Sequence, residues 1–144
     1  MLLTVIAFAL ILSVLVLIHE FGHFLVAKKL GIKVEEFGVG FPPRAFGKKI
    51  GETVYSINWL PVGGFVKLYG EDDAGGGKIG GQRTGDSGQV DIKRAFYARP
   101  LWQRISVVVA GVVMNFLLAV VLISFLFASQ GVPLPTDKVI ITEV

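Results

Sequence analysis

The run Leu15-Val-Leu-Ile-His19-Glu20-Phe-Gly22-His23-Phe-Leu-Val-Ala-Lys28-Lys29 decides how this chain is read. Apolar residues stand on both sides of two histidines and a glutamate, and a pair of lysines closes the run. On a helix, residues four apart project from nearly the same face, one turn above the other. His19 and His23 can then offer two neutral imidazoles to one Zn²⁺. Glu20 sits beside that face, where a carboxylate can take a proton from water acidified by the metal. Zinc lowers the pKa of such water from about 15.7 towards 7. The bland alternative is an accidental match on an ordinary helix. It is weak here, because ionisable groups inside a membrane span are costly and rarely idle. The chain has 2 His in all, and both are in this run.

Outward from that run, Met1 to Ile18 contains no charged residue. A bilayer takes about 20 apolar residues to cross. A cleaved signal peptide fits poorly, since no positive segment precedes the run and no small-x-small site follows it. The sequence therefore predicts a retained transmembrane helix over residues 1–30. A second stretch from Ile105 to about Ala128 is broken only by Ser106, Asn115 and Ser124. At helical rise its 24 residues reach about 36 Å, enough to span with some tilt. This places a second transmembrane helix over 99–130. Composition agrees: the 144 residues are 53% hydrophobic and 17% charged, with a mean hydropathy of +0.67. A soluble domain carries roughly 25% charged residues. The absence of Cys excludes disulfides, thiolate metal sites and cysteine nucleophiles.

Thirteen of the 14 Lys and Arg residues lie between Lys28 and Arg104, against eight acids, so this stretch carries +5. Lys28, Lys29, Arg99 and Arg104 flank the two spans, which predicts a cytoplasmic loop over 28–104 and both termini outside. A nucleic-acid patch is the alternative for a basic loop, but these charges are diluted by acids and carry no RNA or DNA motif. His23 precedes Lys28 by five residues, about 7.5 Å at helical rise, so the metal-binding run is placed inside the membrane near its cytoplasmic face. Gly22 permits close approach of another segment, or simple helix packing.

Within the loop, residues 31–70 read as short strands divided by turn signals. Val34 to Phe41 is one run, ended by Pro42-Pro43, and Arg44 to Ile50 is a second. Gly51-Glu52 connects to Thr53–Trp59, and after Gly63-Gly64 comes Phe65–Tyr69. The expected product is a small antiparallel sheet. Residues 71–98 form a linker, with eight glycines between Gly70 and Gly88. Phe96, Tyr97 and Trp102 beside Arg99 and Arg104 resemble an interfacial belt. The fold class is thus an α-helical membrane protein: two transmembrane helices with a small, membrane-associated antiparallel β-sheet between them on the cytoplasmic side.

Three motifs together resemble bacterial site-2 proteases. They are His19-Glu-Phe-Gly-His23, Asn58-Trp-Leu-Pro61-Val-Gly63-Gly64, and Arg104-Ile-Ser-Val-Val-Val-Ala-Gly111-Val-Val-Met-Asn115-Phe116. The resemblance runs from about Leu3 to Leu126 and is nearest the subgroup with an extracytoplasmic PDZ domain after the second helix. It implies a zinc metalloprotease of the bacterial cytoplasmic membrane that cuts transmembrane protein substrates within the bilayer, as in regulated cleavage of anti-sigma factors. It also implies His19 and His23 as zinc ligands and Glu20 as catalytic base. The sheet would be a membrane-reentrant β-region that holds substrate as an extended strand, with Asn58, Pro61, Gly63 and Gly64 in its substrate loop. Gly111 and Asn115 would lie near the site. For Asn115 a helix-packing hydrogen bond is the common alternative, and for the sheet a plain structural meander.

Physics supports a strand-holding sheet. A helix hides its own amides, so a substrate must unwind before its carbonyl can be attacked, and a sheet edge can pair with the unwound segment whatever its sequence. Two departures from the family matter. Its third zinc ligand is an Asp in a Leu-Asp-Gly motif on a later helix, and no such motif occurs here. Two His alone leave a tetrahedral site short of a protein ligand. Val112 also stands where the family usually has Pro, restoring a backbone donor. The sequence predicts that a C-terminal half of the same protease carries the third ligand, and that residues 131–144, ending Lys138-Val-Ile-Ile-Thr-Glu-Val144, begin an extracytoplasmic PDZ-like domain. Other readings are a non-catalytic membrane scaffold or pseudoprotease without that ligand, and a metal carrier, disfavoured because two spans build no pathway.

Overall fold

A computed structural model describes residues 1–71 and 92–131. Most of the linker expected at 71–98, and nearly all of the PDZ-like start expected at 131–144, lie outside the described residues. Helix α1 spans Leu2–Lys29. An uninterrupted supply of Leu, Val and Ile drives it, and Lys28 and Lys29 sit in its last turn, where cations oppose the helix dipole. Helix α2 spans Leu101–Gln130. Pro100 precedes its first turn, its carbonyl accepting from the amides of Gln103 and Arg104, and Gly131 ends it at φ 79°. Both helices are long and apolar enough to cross a membrane.

Between them the chain forms two long strands, β1 (Val34–Ile50) and β2 (Thr53–Leu68), joined by the Gly51-Glu52 turn and paired antiparallel. The sequence suggests four short strands with a break at Pro42-Pro43; the structure joins them into two. Pro42-Pro43 is a cis peptide within β1, and the ladder shifts register from Phe41 to Arg44 instead of ending. Both strands bend, so that Phe37 lies opposite Val66 and also opposite Tyr55, and Val39 opposite Gly64 and also Ile57. The register thus arranges four segments side by side, in the order 64–68, 34–39, 54–58 and 44–50. Over 36–39 and 54–57 the paired numbers rise together, which is the consequence of the fold-back.

The ribbon lies along α1. Phe24 packs on Phe37 with ring centroids 5.1 Å apart and on Tyr55 at 6.0 Å. Further along α1, the Ser13 hydroxyl reaches the Pro61 carbonyl at 3.4 Å. From Lys28 to Ser13 is about 22 Å at helical rise, so the sheet follows α1 well past its basic end. The side chains at that far tip are apolar and exposed: Phe41, Phe46, Ile57, Trp59 and Leu60. At the near end a small core closes over Ala27, Ile32, Val34, Leu68, Phe96 and Val107. There Thr53 donates to the Val34 carbonyl at 2.9 Å, and Arg94 grips Glu52 through two 2.7 Å hydrogen bonds.

Candidate metal centre

His19, Glu20 and His23 all project from one stretch of α1, and their ligand atoms lie within 4.8 Å of one another. The two imidazoles meet edge to face, centroids 4.7 Å apart and planes at 83°. What aims them is α2, which runs antiparallel to α1. The two helices can approach because Gly22 has no side chain: a Cβ there would come within 2.5 Å of the Ala110 carbonyl oxygen and 2.7 Å of Met114. Val107, Gly111 and Asn115, spaced by four, present one stripe of α2 to the histidines.

Each member of that stripe does something different. The Val107 carbonyl lies 2.7 Å from His23 Nδ1. A carbonyl only accepts, so the His23 proton sits on Nδ1 and its Nε2 lone pair is left for a ligand role. At Gly111 a Cβ would lie 2.6 Å from His19 Nε2 and 2.7 Å from His23 Nε2. Both ring nitrogens therefore converge on the space that this glycine leaves empty. Asn115 Nδ2 stands 3.5 Å from His19 Nδ1. The donor set, two imidazole nitrogens with a carboxylate alongside, suits zinc, and the cradle at Gly111 gives an ion room between the rings. A protein metal site of this kind needs a further ligand or two to close its shell.

Glu20 faces the sheet. Its Oε2 accepts the Val66 amide at 3.1 Å, and Val66 belongs to the outer segment of the ribbon. A cleft of about 270 Å³ opens here, lined by Glu20, His23, Val66, Glu71, Phe96 and Val107 among others. Glu71 Oε2 accepts the next outward amide, that of Leu68, at 3.4 Å. The outer edge of the sheet, the carboxylate and the two imidazoles thus share one cleft.

Of the residues singled out from the sequence, the structure brings His19, Glu20, His23, Gly111 and Asn115 together. Gly64, Gly63 and Pro61 lie progressively further along α1 towards the ribbon tip, beside Leu17, Val16 and Ser13. Asn58 is buried and donates to the Gly40 carbonyl at 3.0 Å, inside the ribbon. Gly63, at φ 72°, turns the chain beside Val16, and Gly64 lets the outer segment close on Leu17. Val66, Val107 and Glu71 are absent from the sequence reading. Val66 and Val107 act through backbone groups, which no side-chain pattern announces. Stepping the Gly111–Asn115 spacing back by four would have pointed to Val107.

A profile of peptidase family M50 matches residues 7–143. The chain belongs to that family. A protein named as a zinc metalloprotease of Clostridium acetobutylicum is 43% identical over 124 residues, covering 86% of this chain and 32% of its own length. One of Thermotoga maritima, named likewise, is 34% identical over 137 residues, or 94% of this chain and 25% of its own length. The regulator of sigma-W protease RasP of Bacillus subtilis is 34% identical over 196 aligned positions, covering 90% of this chain and 46% of RasP. The chain spans between about a quarter and a half of these M50 relatives. It is a member of a zinc metalloprotease family, with two helices able to cross a membrane and a small antiparallel sheet between them.

Proposed function

We propose that this chain is the N-terminal, metal-binding part of a zinc-dependent intramembrane endopeptidase that cuts transmembrane protein substrates, as in regulated cleavage of anti-sigma factors. The observation that carries the reading is the convergence of His19 Nε2 and His23 Nε2 on the empty side-chain space of Gly111, with Glu20 beside them, inside a helix able to cross a membrane. Membership of M50 and the likeness to RasP, a regulator of sigma-W protease by name, favour the same chemistry.

In this reading His19 and His23 hold zinc, and a C-terminal half of the protease supplies the third protein ligand. Zinc, when bound, supplies a Lewis acid that makes water acidic enough to attack a carbonyl at neutral pH. Glu20 accepts the proton at its carboxylate and returns it to the leaving amine. The substrate segment, once unwound, adds as a strand to the 64–68 edge. It takes the Val66 amide that Glu20 now holds and sets its scissile carbonyl in the cleft beside the histidines. Pro61, Gly63 and Gly64 keep the start of that edge against α1, and Asn58 braces the ribbon behind it through the Gly40 carbonyl. The lysines and arginines flanking both helices set loop 28–104 on the cytoplasmic side of a bacterial inner membrane, with both termini outside.

The test uses the full-length gene product in detergent with a membrane-spanning substrate. Glu20→Gln keeps the shape and removes the basicity, so cleavage should fall by about 10²- to 10⁴-fold with zinc content unchanged. His19→Ala or His23→Ala should lose the metal as well. Full cleavage by Glu20→Gln would refute its role as base, and a zinc-free parent would refute the metalloprotease reading for this protein.

A further inference from the structure

The two histidines differ in what holds them. His23 has its Nδ1 proton anchored on the Val107 carbonyl at 2.7 Å. His19 presents Nε2 to the same space at Gly111 and so needs its own proton on Nδ1. The group facing that Nδ1 is the Asn115 amide nitrogen, at 3.5 Å. Two N–H donors facing each other do not bond. Meanwhile Asn115 Oδ1 is buried and has no hydrogen-bond partner among the described residues. A half-turn of the amide exchanges its oxygen and nitrogen without changing its shape, and turns the orphaned oxygen towards His19. The oxygen then accepts from His19 Nδ1.

We propose that Asn115 is the positioning residue for His19: its carboxamide oxygen accepts the Nδ1 proton, fixes the ring as the Nδ1–H tautomer and leaves Nε2 aimed at the Gly111 cradle. This rests on the zinc reading above and extends it to the second ligand. The logic is that of the α2 stripe. Four residues after the carbonyl that serves His23 comes the glycine that makes room, and four further on comes the side chain that reaches the next histidine up α1. His19 lies one turn of α1 away from His23, and the α2 group that reaches its Nδ1 is the Asn115 side chain. A neutral amide supplies the acceptor without placing a charge in an apolar span. The competing role for Asn115 is simple helix-to-helix glue, which would be indifferent to the His19 tautomer.

Two measurements on the full-length gene product in detergent decide it. In zinc competition against a chromophoric chelator, Asn115→Leu, which fills the same volume without an acceptor, should bind about 10- to 100-fold more weakly, and Asn115→Asp, which restores the acceptor, should stay within about threefold of the parent. In metal-free protein with ¹⁵N-labelled histidine, His19 of the parent should be the Nδ1–H tautomer, and Asn115→Leu should show a mixture of both. Parent-like zinc affinity in Asn115→Leu, or an Asn115→Asp variant as weak as Asn115→Leu, would overturn the proposal in favour of packing. Were the parent to hold no zinc, the metalloprotease reading would fall. The tautomer comparison would still decide Asn115, an unchanged His19 tautomer in Asn115→Leu counting against it.

Discussion

The folded ribbon has two outer edges, and they are built on opposite principles. The 44–50 edge is exposed throughout and carries Lys48 and Lys49, while Arg44 pairs with Glu36 at 2.6 Å. Charges on a free edge block pairing with a stray strand. The 64–68 edge reads Gly64-Phe-Val-Lys-Leu68, and Lys67 turns aside to Glu35 at 3.4 Å. Its outward amides at Val66 and Leu68 are held by Glu20 and Glu71, two side-chain carboxylates rather than a neighbouring strand. One edge is closed to strand addition by charge; the other is capped by groups that an incoming strand can displace. The second is also the one beside the histidines. The capped edge shares its cleft with Glu20 and His23, and the proposed substrate role of the sheet rests on that placement.

The largest expected effect separates the metal group from the edge. In Gly111→Ala the new methyl would stand 2.6 to 2.7 Å from both imidazole Nε2 atoms, in the space assigned to the ion by the proposed function. Zinc should be lost and cleavage reduced by more than about 100-fold, beyond what loss of a hydrogen bond to a ligand produces. Crosslinking of a substrate segment to the 64–68 edge should persist, since that segment is held by its β1 partner 34–39 and by α1. Zinc measured by mass spectrometry at one equivalent in this variant would show that the convergence on Gly111 is not the metal site.

An intermediate effect compares the edges directly. Val66→Pro removes the outward amide while keeping the strand, which an edge position tolerates. The loss of one strand-pairing hydrogen bond should lower cleavage by about tenfold with zinc retained. Lys48→Ser on the opposite edge should leave cleavage within about twofold of the parent and increase self-association, because it strips a protecting charge. Similar cleavage losses from Val66→Pro and Lys48→Ser would erase the distinction between the two edges. Ile57→Pro would be a blunter probe of the sheet. Ile57 pairs with both Val39 and Phe46, so proline there would break the ribbon from within.

Much of this was legible in the sequence, and the rest was hidden for identifiable reasons. Unbroken apolar runs declare α1 and α2, and spacing by four places His19 and His23 on one face. Proline at 42 and 43 reads as a stop because it donates no hydrogen bond. In the structure β1 bends there and continues, and the tertiary fold-back that makes two strands into four segments leaves no local signature. Gly111 and Asn115 stand out by contrast with their Val and Leu neighbours, whereas Val66 and Val107 contribute an amide and a carbonyl that every residue has. Glu52 reads as a turn residue. Its partner Arg94 lies 42 positions away, and only the fold brings them together.

The smallest expected effect lies at Glu52, which ties the turn between β1 and β2 to Lys28 and Arg94. Hydrogen bonds from Arg94 hold its carboxyl down to about 2 from the ordinary 4.5, assisted by Lys28 and opposed by partial burial. A carboxyl with a lowered folded-state pKa adds stability that is complete above 4.5, wanes as the pH falls below it and is gone once the pH passes about 2. The side chain is 31% exposed, so solvent screening keeps the contribution to about 1 kcal/mol or less. Thermal melts in detergent should therefore show Glu52→Gln slightly less stable than the parent at pH 7, the gap closing between pH 4.5 and 2. Because the Glu52 carboxylate is held by Arg94 and Lys28, away from Val66 and Glu20, Glu52→Gln should leave the contrast between Val66→Pro and Lys48→Ser intact. If it instead abolished the Val66→Pro effect, the special character of the 64–68 edge would derive from the ion pairs at the turn and not from its place beside Glu20.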